Sequence, residues 1–165
     1  MNHLVHTALI GIGATATMDL WGIVRAPLMG VPAPNYGLVG RWLAGMPSGR
    51  FRHASIAAAP AVRGEQWIGW IAHYLIGVLF AALLLAIVGI DWIGEPTLLP
   101  ALLVGVGTVA APFLIMQPGM GAGVAASRTP NPRAARVQSL LTHFFFGLGL
   151  YVSAWAAHLL HAPGG

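Results

Sequence analysis

The chain contains no cysteine and no lysine, and only 4 acidic residues among 165. Without cysteine there are no disulfides, no thiolate metal ligands, no iron–sulfur ligation and no cysteine nucleophile. Charge is scarce altogether: Asp, Glu, Lys and Arg make up 7% of the sequence, against roughly 25% in an ordinary soluble domain. The 8 arginines and 4 acids cannot solvate a compact globule of this length, and they are bunched rather than spread. Disorder, a collagen helix and a coiled coil are excluded as well, because they need low hydrophobicity, a strict glycine period and charged flanking positions respectively.

What fills the chain instead is apolar, at 57% of residues. Between Glu65 and Asp91 lie 25 uncharged residues, between Glu95 and Arg128 lie 32, and the last 29 after Arg136 are uncharged again. Each stretch exceeds the roughly 20 residues that cross a bilayer core of about 30 Å. The expected fold is therefore all-α and polytopic: four transmembrane helices in a bundle, at about residues 3–24, 67–90, 97–117 and 137–160, forming one membrane domain over residues 1–165. The cytoplasmic loops are then residues 26–66 and 118–136. The first segment is preceded by no Lys or Arg and followed by Arg25, so it reads as a retained helix rather than a signal peptide.

All eight arginines fall beside or within the two loops that share one face, whereas the short connection between spans two and three carries only Asp91 and Glu95. The positive-inside rule assigns the arginine face to the cytoplasm, which leaves both termini outside it. The same placement explains the pI near 10.8 without a nucleic-acid partner; membrane lipids are the expected surroundings, and a homo-oligomer is one expectation for so small a bundle. Tyr36 to Leu43 can lie flat in the headgroups, with Tyr36 and Trp42 as anchors.

Spans two and four share an H-aromatic-x-x-G pattern, His73 to Gly77 and His143 to Gly147. Spans one and three share a G-x-G start, Gly11 to Gly13 and Gly105 to Gly107. Together these point to two hairpin repeats related by an axis along the membrane normal.

Ionisable groups within a span are costly and tend to face a bundle interior or a cavity. Asp19, His73 and His143 each lie six residues from the arginine-rich boundary of their spans, about 9 Å deep at 1.5 Å per residue. Equal depth on three helices predicts a polar pocket in the cytoplasmic half, with His53, Glu65, Gln117 and Arg136 as rim groups. One carboxylate and two imidazoles suit a divalent metal such as zinc or iron. His73 and His143 can alternatively be axial ligands of a b-type haem, with Gly77 and Gly147 making room for the macrocycle. The same groups can relay protons. Ser139, one turn before His143, permits a Ser-His-Asp arrangement with Asp19. The plain alternative is that these side chains hydrogen-bond helix to helix and fix packing.

Other candidates sit outside the spans. Gln117 to Gly123, followed by Ser127 and Arg128, can form a backbone anion nest with a basic neighbour; no strand precedes it, so it is not a dinucleotide fingerprint. His53 and Glu65 otherwise read as part of a basic headgroup-binding patch and an ordinary loop acid. His3, His6, His158 and His161 are expected at the wetted outer surface. Three functions stay open: a metal- or haem-dependent membrane enzyme on a lipid-soluble or anionic small-molecule substrate, a small transporter or proton-coupled permease, and a structural or assembly subunit of a membrane complex.

Met18-Asp19-Leu20-Trp21, Gly40-Arg41-Trp42, Gly49-Arg50-Phe51-Arg52-His53, Gly69 to Tyr74, Gln117-Pro118, Ala125-Ala126-Ser127 and Ser139 to His143 through Gly149-Leu150-Tyr151 resemble a bacterial inner-membrane family known as domain of unknown function 2938. The resemblance covers nearly the whole chain. It implies a small multi-pass protein of the inner membrane and supplies no mechanism.

Overall fold

A computed structural model describes residues 3–32 and 34–159. The described residues are helical, with no strand. The principal helices are α1 (His3–Met29), α2 (Tyr36–Gly45), α3 (Glu65–Val88), α4 (Leu98–Gly107), α5 (Gln117–Met120) and α6 (Pro132–Leu159). Four stretches are long and apolar enough to cross a membrane: α1, α3, Leu98–Met120 and α6. The first helix runs on past Arg25 to Met29, and the last starts at Pro132 rather than Val137. The α6 start has a local cause: Pro132 has the pre-set φ of a first helical residue, and Asn131 Oδ1 accepts from Ala134 N at 3.1 Å.

The third span is not one helix. α4 ends at Gly107, a turn covers Thr108 and Val109, and Pro112–Met116 form a π-helical segment. Pro112 has no N–H to give the Thr108 carbonyl, and a wider turn is the usual accommodation.

The chain divides into two compact units. Unit one holds residues 1–32, 74–108 and 141–165, and its described part is a four-helix bundle. Its core joins Ile10, Ala14, Ala81, Leu84, Leu150 and Phe146, all at or below 2% exposure. On α3, Leu75, Leu79, Leu83 and Ile87 repeat every four residues and are 45–65% exposed. They form the stripe that would face lipid. Between bundle helices the spacing is set by small residues, because lipid tails are as apolar as Leu and supply no solvent drive for association. A Cβ on Gly11 would lie 2.8 Å from the Gly77 carbonyl, one on Gly77 would overlap Thr15, and one on Gly105 would overlap Gly147. A Cβ on Gly149 would lie 2.7 Å from Ala14 Cα. The glycines shared by the two hairpins thus make an equivalent backbone crossing in each.

Unit two holds residues 33–73 and 109–140. Its α2 begins at Asn35, whose Oδ1 accepts from Gly37 N at 3.0 Å. It lies backbone against backbone on the start of α3: a Cβ on Gly40 would meet Gly69 N at 2.7 Å. Trp42 is 7% exposed, donates from Nε1 to Phe51 O at 2.9 Å, and its ring lies 2.6 to 2.8 Å from where a Gly119 Cβ would be. Tyr36 stacks on His73. Trp42 is thus a core residue of this unit, and the half-buried Tyr36 packs on α3.

Candidate functional site

Two ionisable residues of unit one, Asp19 and His143, meet hydroxyls. The Tyr74 hydroxyl hydrogen-bonds Asp19. His143 is buried, and its Nδ1 lies 2.9 Å from Thr108 Oγ1. The direction of that bond follows from counting protons. Thr108 has one hydroxyl proton, and it points to the Gly105 carbonyl at 2.6 Å, so Oγ1 accepts from the imidazole Nδ1–H. The neutral imidazole then carries its lone pair on Nε2. Thr108 accepts equally well from the protonated ring, so this contact does not oppose a change of charge. Thr108 is also the residue at which the third span breaks.

α1 carries a further polar line. His6, Thr7, Thr15 and Arg25 are buried, and Asp19 is half-buried. Thr7 and Thr15 donate to the carbonyls four residues back, at 2.8 Å each, a local bond that lets a hydroxyl sit within an apolar helix. From Thr7 to Arg25 is about 27 Å of helix, close to the thickness of a hydrocarbon core. Trp21 stacks on Phe145 with centroids 4.1 Å apart, and its Nε1 is buried without a partner among the described residues.

His73 belongs to unit two. Its ring stacks on Tyr36 at 4.1 Å and meets Trp70 edge-on at 6.0 Å. Glu65 faces Arg41 in a two-pronged pair, Nε to Oε2 at 2.8 Å and Nη2 to Oε1 at 2.7 Å. Arg41 also donates to the Ala59 carbonyl at 2.8 Å, and Val62 N donates to Glu65 Oε2 at 2.8 Å. The Glu65 carboxylate, through these hydrogen bonds and its charge, holds the Arg41 pKa above its ordinary value. Glu65 is thus a structural fastener for the 56–65 loop. Arg136 donates from Nε to Ala125 O at 2.8 Å. His53 Nε2 and Gln117 Oε1 are buried without hydrogen-bond partners among the described residues. Ser139 is half-buried on α6, and the His143 Nδ1 that a triad would turn to a carboxylate faces Thr108. His6 is buried rather than wetted, and His158 packs edge-on against Trp155. His161 lies outside the described residues.

Among the described residues no group of three or more His, Cys, Asp or Glu is arranged to hold a metal ion. The haem arrangement does not fit either. The space beside Gly77 is taken by Thr15, and a Cβ on Gly147 would already lie 3.0 Å from Ala101 O and 3.1 Å from Leu102 Cα. These glycines admit a neighbouring helix, not a macrocycle.

The helices and their lengths define an all-helical, multi-pass membrane protein. Its family profile match covers residues 8–157, and the chain belongs to the family described as protein of unknown function, DUF2938. Neither the curated proteins nor the solved structures give a match.

Proposed function

We propose that this chain is a small proton-coupled permease of the bacterial inner membrane, with both termini outside the cytoplasm. One observation carries the reading: a buried imidazole, His143, on a membrane-length helix, held through Nδ1 by a hydroxyl whose own proton is already committed. That arrangement holds the ring through an Nδ1 bond that persists whether the imidazole is neutral or protonated. Two features support it. The ring sits where the third span is broken, and broken spans are where transporters tend to place their sites. Asp19 with Tyr74 supplies a second ionisable group on the polar line of α1. The arginine distribution supports the orientation. The substrate is a small molecule of unidentified class.

The test is proton uptake into liposomes that enclose a pH-sensitive dye, under an imposed pH gradient with potassium and valinomycin to balance charge. Wild-type protein should raise uptake above that of empty liposomes. His143→Gln, which keeps a hydrogen-bonding side chain but cannot titrate, and Asp19→Asn should each return it to the empty level. Uptake at the wild-type rate in both variants, or none from the wild type, refutes the reading.

A further inference from the structure

Seven of the eight arginines fall in unit two, together with one of the four acids, Glu65. Arg41 occupies both oxygens of that carboxylate. No other carboxylate exists within the unit, and Arg52 and Arg128 make no ion pair among the described residues. Like charges left without partners would ordinarily spread apart in solvent. Here two segments far apart in sequence bring them to one cavity of about 500 Å³, lined by Arg52, His53, Ser127 and Arg128 with Gly123 and Pro118 among the rest.

The segment from Gly121 to Arg128 is shaped and fastened around that cavity. Ala125 and Ala126 hold positive φ of 47° and 58°, which side-chain-bearing residues rarely adopt, and Gly121 and Gly123 are positive as well. Arg128 N donates to Ala122 O at 2.8 Å, and Arg136 Nε donates to Ala125 O at 2.8 Å. The other wall is tied in by His53 N, which donates to Gly119 O at 2.8 Å. Gly123 has a φ of 76°, and a Cβ there would lie 3.2 Å from Arg128 N, so the backbone favours glycine at this position. Within the same wall the buried His53 Nε2 has no partner among the described residues. The lining offers two guanidinium forks, a hydroxyl and an imidazole, and no acid.

From this we infer a binding site for a phosphate group, carried by Arg52 and Arg128 with the Ser127 hydroxyl beside them and His53 in the wall. Paired guanidinium groups match phosphate oxygens two at a time, which single ammonium charges cannot do. The cavity is half open, and its volume leaves room for the organic part of a phosphate ester as well as the phosphate itself. The phosphate can come from an anionic lipid headgroup or from a soluble phosphomonoester. This site shares no residue with the His143 and Asp19 chemistry, so either proposal stands if the other fails.

The experiment is calorimetric titration of the full chain in phosphatidylcholine nanodiscs with glycerol phosphate, set beside binding of detergent-solubilised protein to vesicles of phosphatidylcholine with or without phosphatidic acid. Saturable binding of glycerol phosphate assigns the soluble source; binding that requires phosphatidic acid assigns the lipid source. In either arm Arg52→Gln and Arg128→Gln should weaken binding at least tenfold. Arg63→Gln, which removes an exposed arginine outside the cavity, should change it less than twofold. Arg128→Lys, which keeps the charge and loses the fork, should fall between. Since Arg52 and Arg128 are exposed, the helical content of all variants should match the wild type. Equal losses in Arg63→Gln and the cavity variants would show a net-charge effect and overturn the proposal, as would no binding in either arm.

Discussion

The hairpin crossing of α4 and α6 can be tested with two alanines placed two residues apart. A Cβ on Gly105 would lie 2.6 Å from Gly147 N and 3.2 Å from His143 O, all of it backbone that cannot rotate away. Comfortable heavy-atom contact is about 3.5–4.0 Å, so the helices must part by roughly 1 Å, a gap that forfeits a quarter to a half of the dispersion energy of each facing pair. Overpacking of this kind costs about 1–3 kcal/mol. The same movement stretches the 2.9 Å bond between Thr108 and His143 past hydrogen-bonding range, adding about 0.6 kcal/mol at the value typical inside membrane proteins. Gly105→Ala should therefore lose roughly 2–3 kcal/mol, a 30- to 150-fold change in the unfolding equilibrium. At Gly107, by contrast, a Cβ meets nothing within 4 Å. Gly107→Ala should be neutral or gain about 0.5–1 kcal/mol through the lower backbone entropy of the unfolded chain. Reversible unfolding in mixed micelles with rising dodecyl sulfate, followed by the fluorescence of the 6 tryptophans, measures both. Equal effects of the two alanines would refute the crossing.

Two further perturbations separate the units. Glu65→Gln removes the carboxylate that Arg41 grips with two nitrogens, so amide exchange should accelerate across residues 54–65 while the core helices of unit one stay protected; uniform acceleration would count against the fastener role. Phe146→Ala vacates a side chain that is 2% exposed and meets Phe80 edge-on at 6.1 Å. Because the bilayer is itself apolar, mainly the cavity and packing part of the usual loss remains, and the expected cost is roughly 1.5–3 kcal/mol rather than the 3–5 of a water-soluble core. The micelle titration checks it, and a loss above about 4 kcal/mol would argue that this core excludes water rather than lipid.

The four spans were legible because they depend on one-dimensional quantities, the length of uncharged apolar runs and the residues that interrupt them. The break in span three was half legible. Pro112 announced the lost hydrogen bond, yet whether the helix kinks, stops or widens depends on what surrounds it. Unit two was hidden for a different reason. A tryptophan and a tyrosine in an arginine-rich loop have the same sequence signature whether they face headgroups or protein, and only the pairing of Gly40 with Gly69 decides in favour of protein. The Arg41 and Glu65 pair could have been found by elimination, since Glu65 is the single acid among the residues of that unit.

Depth along a span says how far a residue lies from the membrane surface and nothing about its direction around the helix axis. That is why the common depth of Asp19, His73 and His143 did not foretell their partners: Tyr74 for Asp19, Tyr36 for His73 and Thr108 for His143. Glycine positions carry the missing angular information. Without a solvent drive, membrane helices meet where side chains are smallest, so Gly11 with Gly77 and Gly105 with Gly147 mark the facing sides of each hairpin. A residue four positions before such a glycine shares its face, which puts His143 on the side that meets α4 and within reach of Thr108, three residues beyond Gly105. In the first hairpin the backbone crossing recurs, and His73 stacks on Tyr36 of the loop unit. The likeness between the hairpins is thus one of backbone geometry, and the proton-uptake test rests on His143 because its hydroxyl partner Thr108 lies beside the second crossing.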